Sequence, residues 1–136
     1  MDFLKTMTIA ASGLRAQAGR MRIISENIAN ADSTPTVAGG DPYRRKVPSF
    51  VSEVDRALGA RVVALGRTAI DKTEFRLKYE PGHPAADRNG NVKYPNVNPL
   101  IEMTDMREAQ RTYEANVNVI GATRRMIQRT LDILKA

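Results

Sequence analysis

No proline interrupts the chain between Met1 and Thr34 or between Leu100 and Ala136, and apolar residues recur through both stretches with helical spacing. In the first, Phe3, Met7, Ala10, Leu14, Gln17, Met21, Ile24 and Ile28 follow steps of four and three, and only Gln17 is polar. In the second, Met103, Met106, Gln110, Tyr113, Val117, Ile120, Arg124, Ile127, Leu131 and Leu134 do the same, with Gln110 and Arg124 the polar exceptions. Alternation of three and four is the seam pattern of helices that pack along their length. The polar breaks mark either exposed parts of a seam or positions that set register and partner choice.

The first helix carries more apolar surface than one partner covers. Ile9, Ala16 and Ile23 form a second stripe, and Leu4, Ala11 and Ala18 a third. A helix apolar on most sides is buried on most sides. Small residues such as Ala10, Ala11, Gly13 and Gly19 permit close approach of neighbours. The spacing predicts a helix over 3–30 that stops at the turn formers Ala31-Asp32-Ser33-Thr34-Pro35. Asn98-Pro99 reads as an N-cap followed by proline at the first helical position. Glu102, Asp105 and Glu108 then sit near the start of that helix, and Arg124, Arg125, Arg129 and Lys135 toward its end, as the helix dipole favours. From Pro99 to Lys135 it would run roughly 55 Å.

Between the helices the pattern changes. Thr73–Tyr79 alternates polar and apolar residues like a half-buried strand, and Ala60–Leu65 is its plausible partner. Arg45–Phe50 is expected as an edge strand because Pro48 cannot sit in a central one. Asn89-Gly90 reads as a two-residue hairpin turn joining Ala86–Arg88 to Asn91–Tyr94. The expected organisation has three parts: a coiled-coil helix (1–30), a loop and small β-rich insert (31–97), and a second coiled-coil helix (98–136). The fold class is mainly α with a small β insert, its two long terminal helices pairing as an antiparallel coiled coil.

Charge and chemistry narrow the function. The net charge of +6 would suit a basic coiled-coil protein that binds nucleic acid. That charge is spread, however, as +2, +3 and +1 over residues 1–30, 31–97 and 98–136. The densest run, Arg44-Arg45-Lys46, reads as a solvated strand edge. No nucleic acid is therefore expected as a partner. The absence of cysteine removes thiolate metal ligands and a cysteine nucleophile. His83, the single histidine, sits in the turn Pro81-Gly82-His83-Pro84. No nucleophile–base–acid set, phosphate loop or carboxylate cluster appears, so no catalytic, cofactor or metal residue is assigned. No apolar run is long enough to insert in a membrane, and Met1–Lys5 lacks the features of a cleaved secretory signal.

Three stretches carry a resemblance. Ala11-Ser12-Gly13-Leu14-Arg15-Ala16-Gln17, Arg20-Met21 and Ile24–Ala31 closely resemble the N-terminal signature of the flagellar rod and hook axial proteins. Asn98, Glu102-Met103, Met106, Ala109, Arg111 and Tyr113-Glu114-Ala115-Asn116 resemble its C-terminal counterpart. Pro81–Pro84, Asn89-Gly90 and Val92–Asn98 are similar to the proximal rod members of that family, although Asn91 stands where an aromatic is expected. The resemblance marks Ser12, Gly13, Leu14, Asn27, Asn30, Asn98, Tyr113 and Asn116 as family motif positions. It implies a structural subunit of a periplasm-spanning tubular rod that transmits torque and encloses an export channel. Such subunits arrive through the flagellar type III apparatus without a cleaved signal peptide. The implied partners are copies of itself and other rod subunits in a helical assembly, with membrane-ring and export-gate proteins at the base.

Overall fold

The computed structural model describes residues 2–136. It contains helix α1 (Phe3–Ala29) and helix α2 (Pro99–Lys135), with six short strands between them: β1 (Lys46–Val47), β2 (Phe50–Asp55), β3 (Ala60–Leu65), β4 (Ala69–Ile70), β5 (Arg76–Tyr79) and β6 (Asn91–Tyr94). The architecture is therefore two helices at the termini and a small antiparallel β middle. No helix among the described residues is long and apolar enough to cross a membrane.

Local chemistry fixes the helix ends. The Asp2 carboxylate accepts from the Lys5 backbone N–H at 3.0 Å and starts α1. At the other end Asn30 donates its amide to the Glu26 carbonyl at 2.8 Å, and Pro35 follows. In α2, Asn98 accepts from the Leu100 N–H at 3.1 Å, with Pro99 in the first helical position.

The strands of the small β-rich insert form three separate two-stranded ribbons. Ala60–Leu65 is a strand, but its partner is Phe50–Asp55, not the 73–79 segment. The two join through a tight loop in which Asp55 accepts from the N–H groups of Ala57 and Leu58 and Gly59 takes φ +59°. The expected edge strand at 45–50 splits at Pro48. Lys46–Val47 pairs with Ala69–Ile70, and Phe50 opens β2. The 73–79 segment is a strand only from Arg76, and it pairs with Asn91–Tyr94. Ala86–Arg88 is not a strand, so Asn89-Gly90 is no two-residue hairpin. It belongs to a longer connection that ends in a turn closed by Gly90 N–H on the Asp87 carbonyl at 3.0 Å.

The chain divides into two compact units, and both helices contribute to each. One comprises residues up to Met21, Ser49–Arg67 and Arg107–Ala136. Its interior is made of small side chains: Ala10, Ser12, Gly13 and Ala16 from α1, Ala109 and Thr123 from α2. Gly13 lies so close to the Asn116 side chain that an added Cβ would sit 2.8 Å from its Nδ2. The other unit comprises Arg22–Pro48 and Thr68–Met106. Its interior joins Ile23, Ile24 and Asn27 to Ala31, Ala85, Val92, Val97 and Glu102.

Two glycines in left-handed backbone give a paired test. At Gly90 (φ +81°) an added Cβ would meet the Tyr79 ring at 2.8 Å, whereas at Gly59 (φ +59°) it meets nothing. Gly59→Ala is expected to lower unfolding free energy by about 1 kcal/mol, the left-handed cost alone. Gly90→Ala is expected to lose about 2–3 kcal/mol, because strain adds to the clash. Urea titration of the two variants measures the difference.

Candidate functional site

The polar interior of the second unit begins with one side chain. Asn27 is fully buried, and all its amide groups are engaged. Its Oδ1 accepts from the Lys46 backbone N–H at 2.9 Å and from the Tyr43 hydroxyl at 2.7 Å. Its Nδ2 donates to the Lys46 carbonyl at 2.8 Å and to Glu102 at 3.2 Å. The pairing with Lys46 has a precise geometric meaning. Asp71 N–H donates to the Arg45 carbonyl, so alternation along the β1–β4 ladder turns the Lys46 backbone groups away from β4. The Asn27 carboxamide meets both groups and stands in for a missing strand.

The same helix closes an edge in the first unit. Val63 points its N–H away from β2, and the Ser12 hydroxyl accepts it at 3.2 Å. Ser12 in turn donates to the Ile9 carbonyl at 2.6 Å. An asparagine and a serine on α1 thus satisfy backbone groups that would otherwise be buried without partners.

Glu102 carries the charge of the site. Its carboxylate is 1% exposed, receives the Asn27 amide on one oxygen and the Arg45 Nε on the other. The Arg45 guanidinium also lies 3.7 Å from both Asp71 and Asp105. Desolvation pulls the Arg45 pKa down, but its bond to Glu102 and the charges of Glu102, Asp71 and Asp105 outweigh that and raise it. Hydrogen bonds from the Thr73 backbone and side chain, with Arg45 nearby, hold the Asp71 carboxyl below its usual range. Burial, then the negative charges of Glu26 and Glu102, push the Tyr43 phenol up to about 12. Arg44-Arg45-Lys46 is accordingly not a solvated edge: Arg45 binds Glu102, and Lys46 reaches Glu26. Sequence reasoning missed Arg45 and Tyr43 and read Glu102 only as a helix-start acid. The one usable signal was an acid in an otherwise seam-like turn.

The motif positions are structural. Ser12 and Asn27 close strand edges, Asn30 and Asn98 cap helices, and Gly13 and Asn116 touch. Leu14 and Tyr113 are half-buried. Of the seam residues on α1, Ala10 and Ile24 are buried, and Met7, Leu14, Gln17, Met21 and Ile28 are half-buried. On α2, Met106, Tyr113, Ile120 and Ile127 are half-buried, while Met103, Gln110, Val117, Leu131 and Leu134 are exposed. The chain turns inward the residues one position earlier, Glu102, Ala109 and Thr123, which are smaller or polar. Much of the apolar stripe on α2 therefore has no cover within the chain. Gln17 Oε1 is a buried acceptor without a partner among the described residues. No group of residues that could hold a metal ion occurs among the described residues.

Two family models match the chain. "Flagella basal body rod protein" covers residues 7–35, and "Flagellar basal body rod FlgEFG protein C-terminal" covers residues 88–133. The chain is 55% identical to the flagellar basal-body rod protein FlgC of Agrobacterium fabrum, over 94% of this chain and 92% of that protein. It is 38% identical to FlgC of Salmonella typhimurium, over 98% of each, and 35% identical to FlgC of Bacillus subtilis, over 99% of this chain and 100% of that protein.

Asn27→Ala leaves the Lys46 backbone, Tyr43 and Glu102 short of partners in a dry interior. It is expected to cost about 2–4 kcal/mol in chemical denaturation, against less than about 1 kcal/mol for Asn30→Ala. The phenol of Tyr43 gives a spectroscopic test. Its pKa is raised in the folded chain to about 12, against about 10 unfolded. The folded state keeps a proton that the unfolded state has lost. The stability this provides is complete below pH ~10 and is lost as pH rises from ~10 toward ~12. Absorbance titration at the phenolate band should show a tyrosine phase near pH 12, and Tyr43→Phe should remove it.

Proposed function

The chain belongs to the FlgC family of flagellar basal-body rod proteins, and from that premise we propose that it polymerises through α1 and α2 into the wall of the rod. It is a structural protein, like its relatives, and not an enzyme. In this reading the two helices run antiparallel as a coiled coil. The contact of Gly13 with Asn116 and the ion pair of Arg20 with Glu108 support that direction, since one number rises as the other falls.

The observation that carries the reading is the uncovered stripe of α2. Met103 is 49% exposed, Val117 and Leu131 45%, and Leu134 77%, although they follow one seam. Covering the part of each that is still exposed is worth on the order of 1–2 kcal/mol. A seam repeated in every copy supplies that cover if neighbours are other rod subunits. Head-to-tail contacts that do not close on themselves give a helical tube. Close-packed interiors resist deformation, which suits a shaft that carries torque around an export channel. Copies of this chain, related rod subunits, and membrane-ring and export-gate proteins at the base are the proposed neighbours. Delivery follows the flagellar type III route without a cleaved signal.

The experiment is incorporation into basal bodies in motile cells. The parent chain is expected in the purified basal-body fraction. Val117→Asp with Leu131→Asp changes two positions that are 45% exposed in the free chain, so the variant should stay folded with a modestly lowered unfolding midpoint and appear in the medium. It should fall at least about tenfold in basal bodies, since desolvating even one carboxylate costs more than about 1.4 kcal/mol. Equal incorporation would refute the seam. A parent chain absent from basal bodies would refute the rod assignment.

A further inference from the structure

Some strand-edge groups in this chain are met by side chains or by a neighbouring loop. Asn27 covers β1 and Ser12 covers Val63 of β3. Asp87 covers β6: its N–H donates to the Asn91 carbonyl at 2.9 Å, and its carboxylate accepts from the Asn91 N–H at 2.9 Å. The outward edges of β2 and β5 receive no such cover among the described residues. Gly66 N–H donates to the Ser49 carbonyl, so alternation turns the N–H and C=O groups of Phe50, Ser52 and Val54 outward from β2. Glu80 N–H donates to the Gly90 carbonyl, which likewise turns those of Leu77 and Tyr79 outward from β5. None of these outward groups has a hydrogen-bond partner among the described residues. The side chains at these edges are apolar and exposed: Val54 60%, Leu77 64% and Tyr79 70%.

We infer that the open edge of β2 receives the open edge of β5 from a second copy of this chain, forming a four-stranded sheet β3–β2–β5–β6 across the two molecules. The backbone restricts the register. In an antiparallel pair, outward-turned residues must face outward-turned residues. Setting Val54 opposite Leu77 and Ser52 opposite Tyr79 satisfies this. The same register places Glu53 opposite Lys78 and Asp55 opposite Arg76, two charge complements from one alignment. Sliding by two residues in either direction leaves one complement and adds one like-charge pair, Asp55 against Glu74 or Glu53 against Glu80. Lys78 already pairs with Glu80 at 2.7 Å and Arg76 with Asp32 at 3.5 Å; Arg76 also donates to the Ala31 and Pro95 carbonyls at 2.8 and 3.1 Å, bonds that leave its exchange of one carboxylate for another open to water. Such exposed pairs exchange at little cost. Because β2 of one copy takes β5 of another, the first copy keeps a free β5 and the second a free β2. The contact is heterologous and propagates.

The inference rests on the reading of the chain as a repeated subunit, but its test is separate from basal-body incorporation. The full-length chain has no cysteine, so Val54→Cys with Leu77→Cys introduces its only thiols. Oxidised at high protein concentration, this variant should give a ladder of disulfide-linked dimers, trimers and longer species, while each single-cysteine variant gives no ladder. Adding Glu53→Lys should cut cross-linking by about tenfold, because one cross-strand attraction becomes a repulsion. Adding Lys78→Glu to that variant should restore it. A chain that stays uncross-linked, links only as far as dimers, or cross-links equally whatever the sign at 53 and 78 would overturn the inference. A normal rod in cells together with any of those results would leave the rod reading standing and remove only this contact.

Discussion

The Asn27 carboxamide meeting the backbone of Lys46 is the interaction on which the second unit depends. A two-residue strand cannot hold itself in place, and its outer N–H and C=O groups cannot be buried bare. Asn27 supplies the acceptor and the donor that a neighbouring strand would supply, at 2.9 and 2.8 Å. A carboxamide side chain offers both in one planar group. Because the same amide also binds Glu102 of α2, the loop that carries Arg45 and Tyr43 is tied to both helices. Arg45 then compensates the buried Glu102 charge. Removing one partner leaves a buried charge or amide exposed to nothing, which costs far more than the bond itself contributes.

That arrangement explains a division of labour along the helices. Apart from Ile23 and Ile24, their most buried positions are small or polar residues: Gly13, Ala16 and Asn27 on α1; Glu102, Ala109 and Thr123 on α2. These allow close approach and specific bonding. The bulky apolar residues Met103, Val117, Leu131 and Leu134 lie on the outer side of α2, where this chain provides no cover. A helix with polar interior bonds and apolar exterior ridges inverts the usual globular pattern. It suits a subunit whose real interior is made jointly with its neighbours.

How much of this was legible in the sequence follows from the range of each interaction. Helix ends were legible because their causes are local: Asn98-Pro99 at the start of α2, Asn30 through Pro35 after α1. Ala60–Leu65 was recognisable as a strand, but not its partner. Phe50–Asp55 is joined to it through Asp55 and Gly59, a loop without the Asn-Gly signal. Asn89-Gly90 carried that signal and sits in a longer connection. Asn27 matched a family motif, but its bonds span 19 residues to Lys46 and 75 to Glu102, a distance no periodicity reveals. Hydropathy placed Met103 and Val117 in the seam, whereas the face that the chain covers keeps Met106, Tyr113, Ile120 and Ile127 and adds Glu102, Ala109 and Thr123.

The central claim is that neighbours in the rod cover the apolar stripe of α2. Thiol accessibility measures that cover directly, because the chain contains no cysteine of its own. With Val117→Cys or Leu131→Cys, a maleimide reagent should label the free chain at the rate of an exposed thiol. In isolated basal bodies that hold the same variant, the rate should fall by about a hundredfold or more, as expected for a site shielded from water by close packing. Equal labelling in the free chain and in the basal body would show that the stripe stays open in the assembly and would contradict the account.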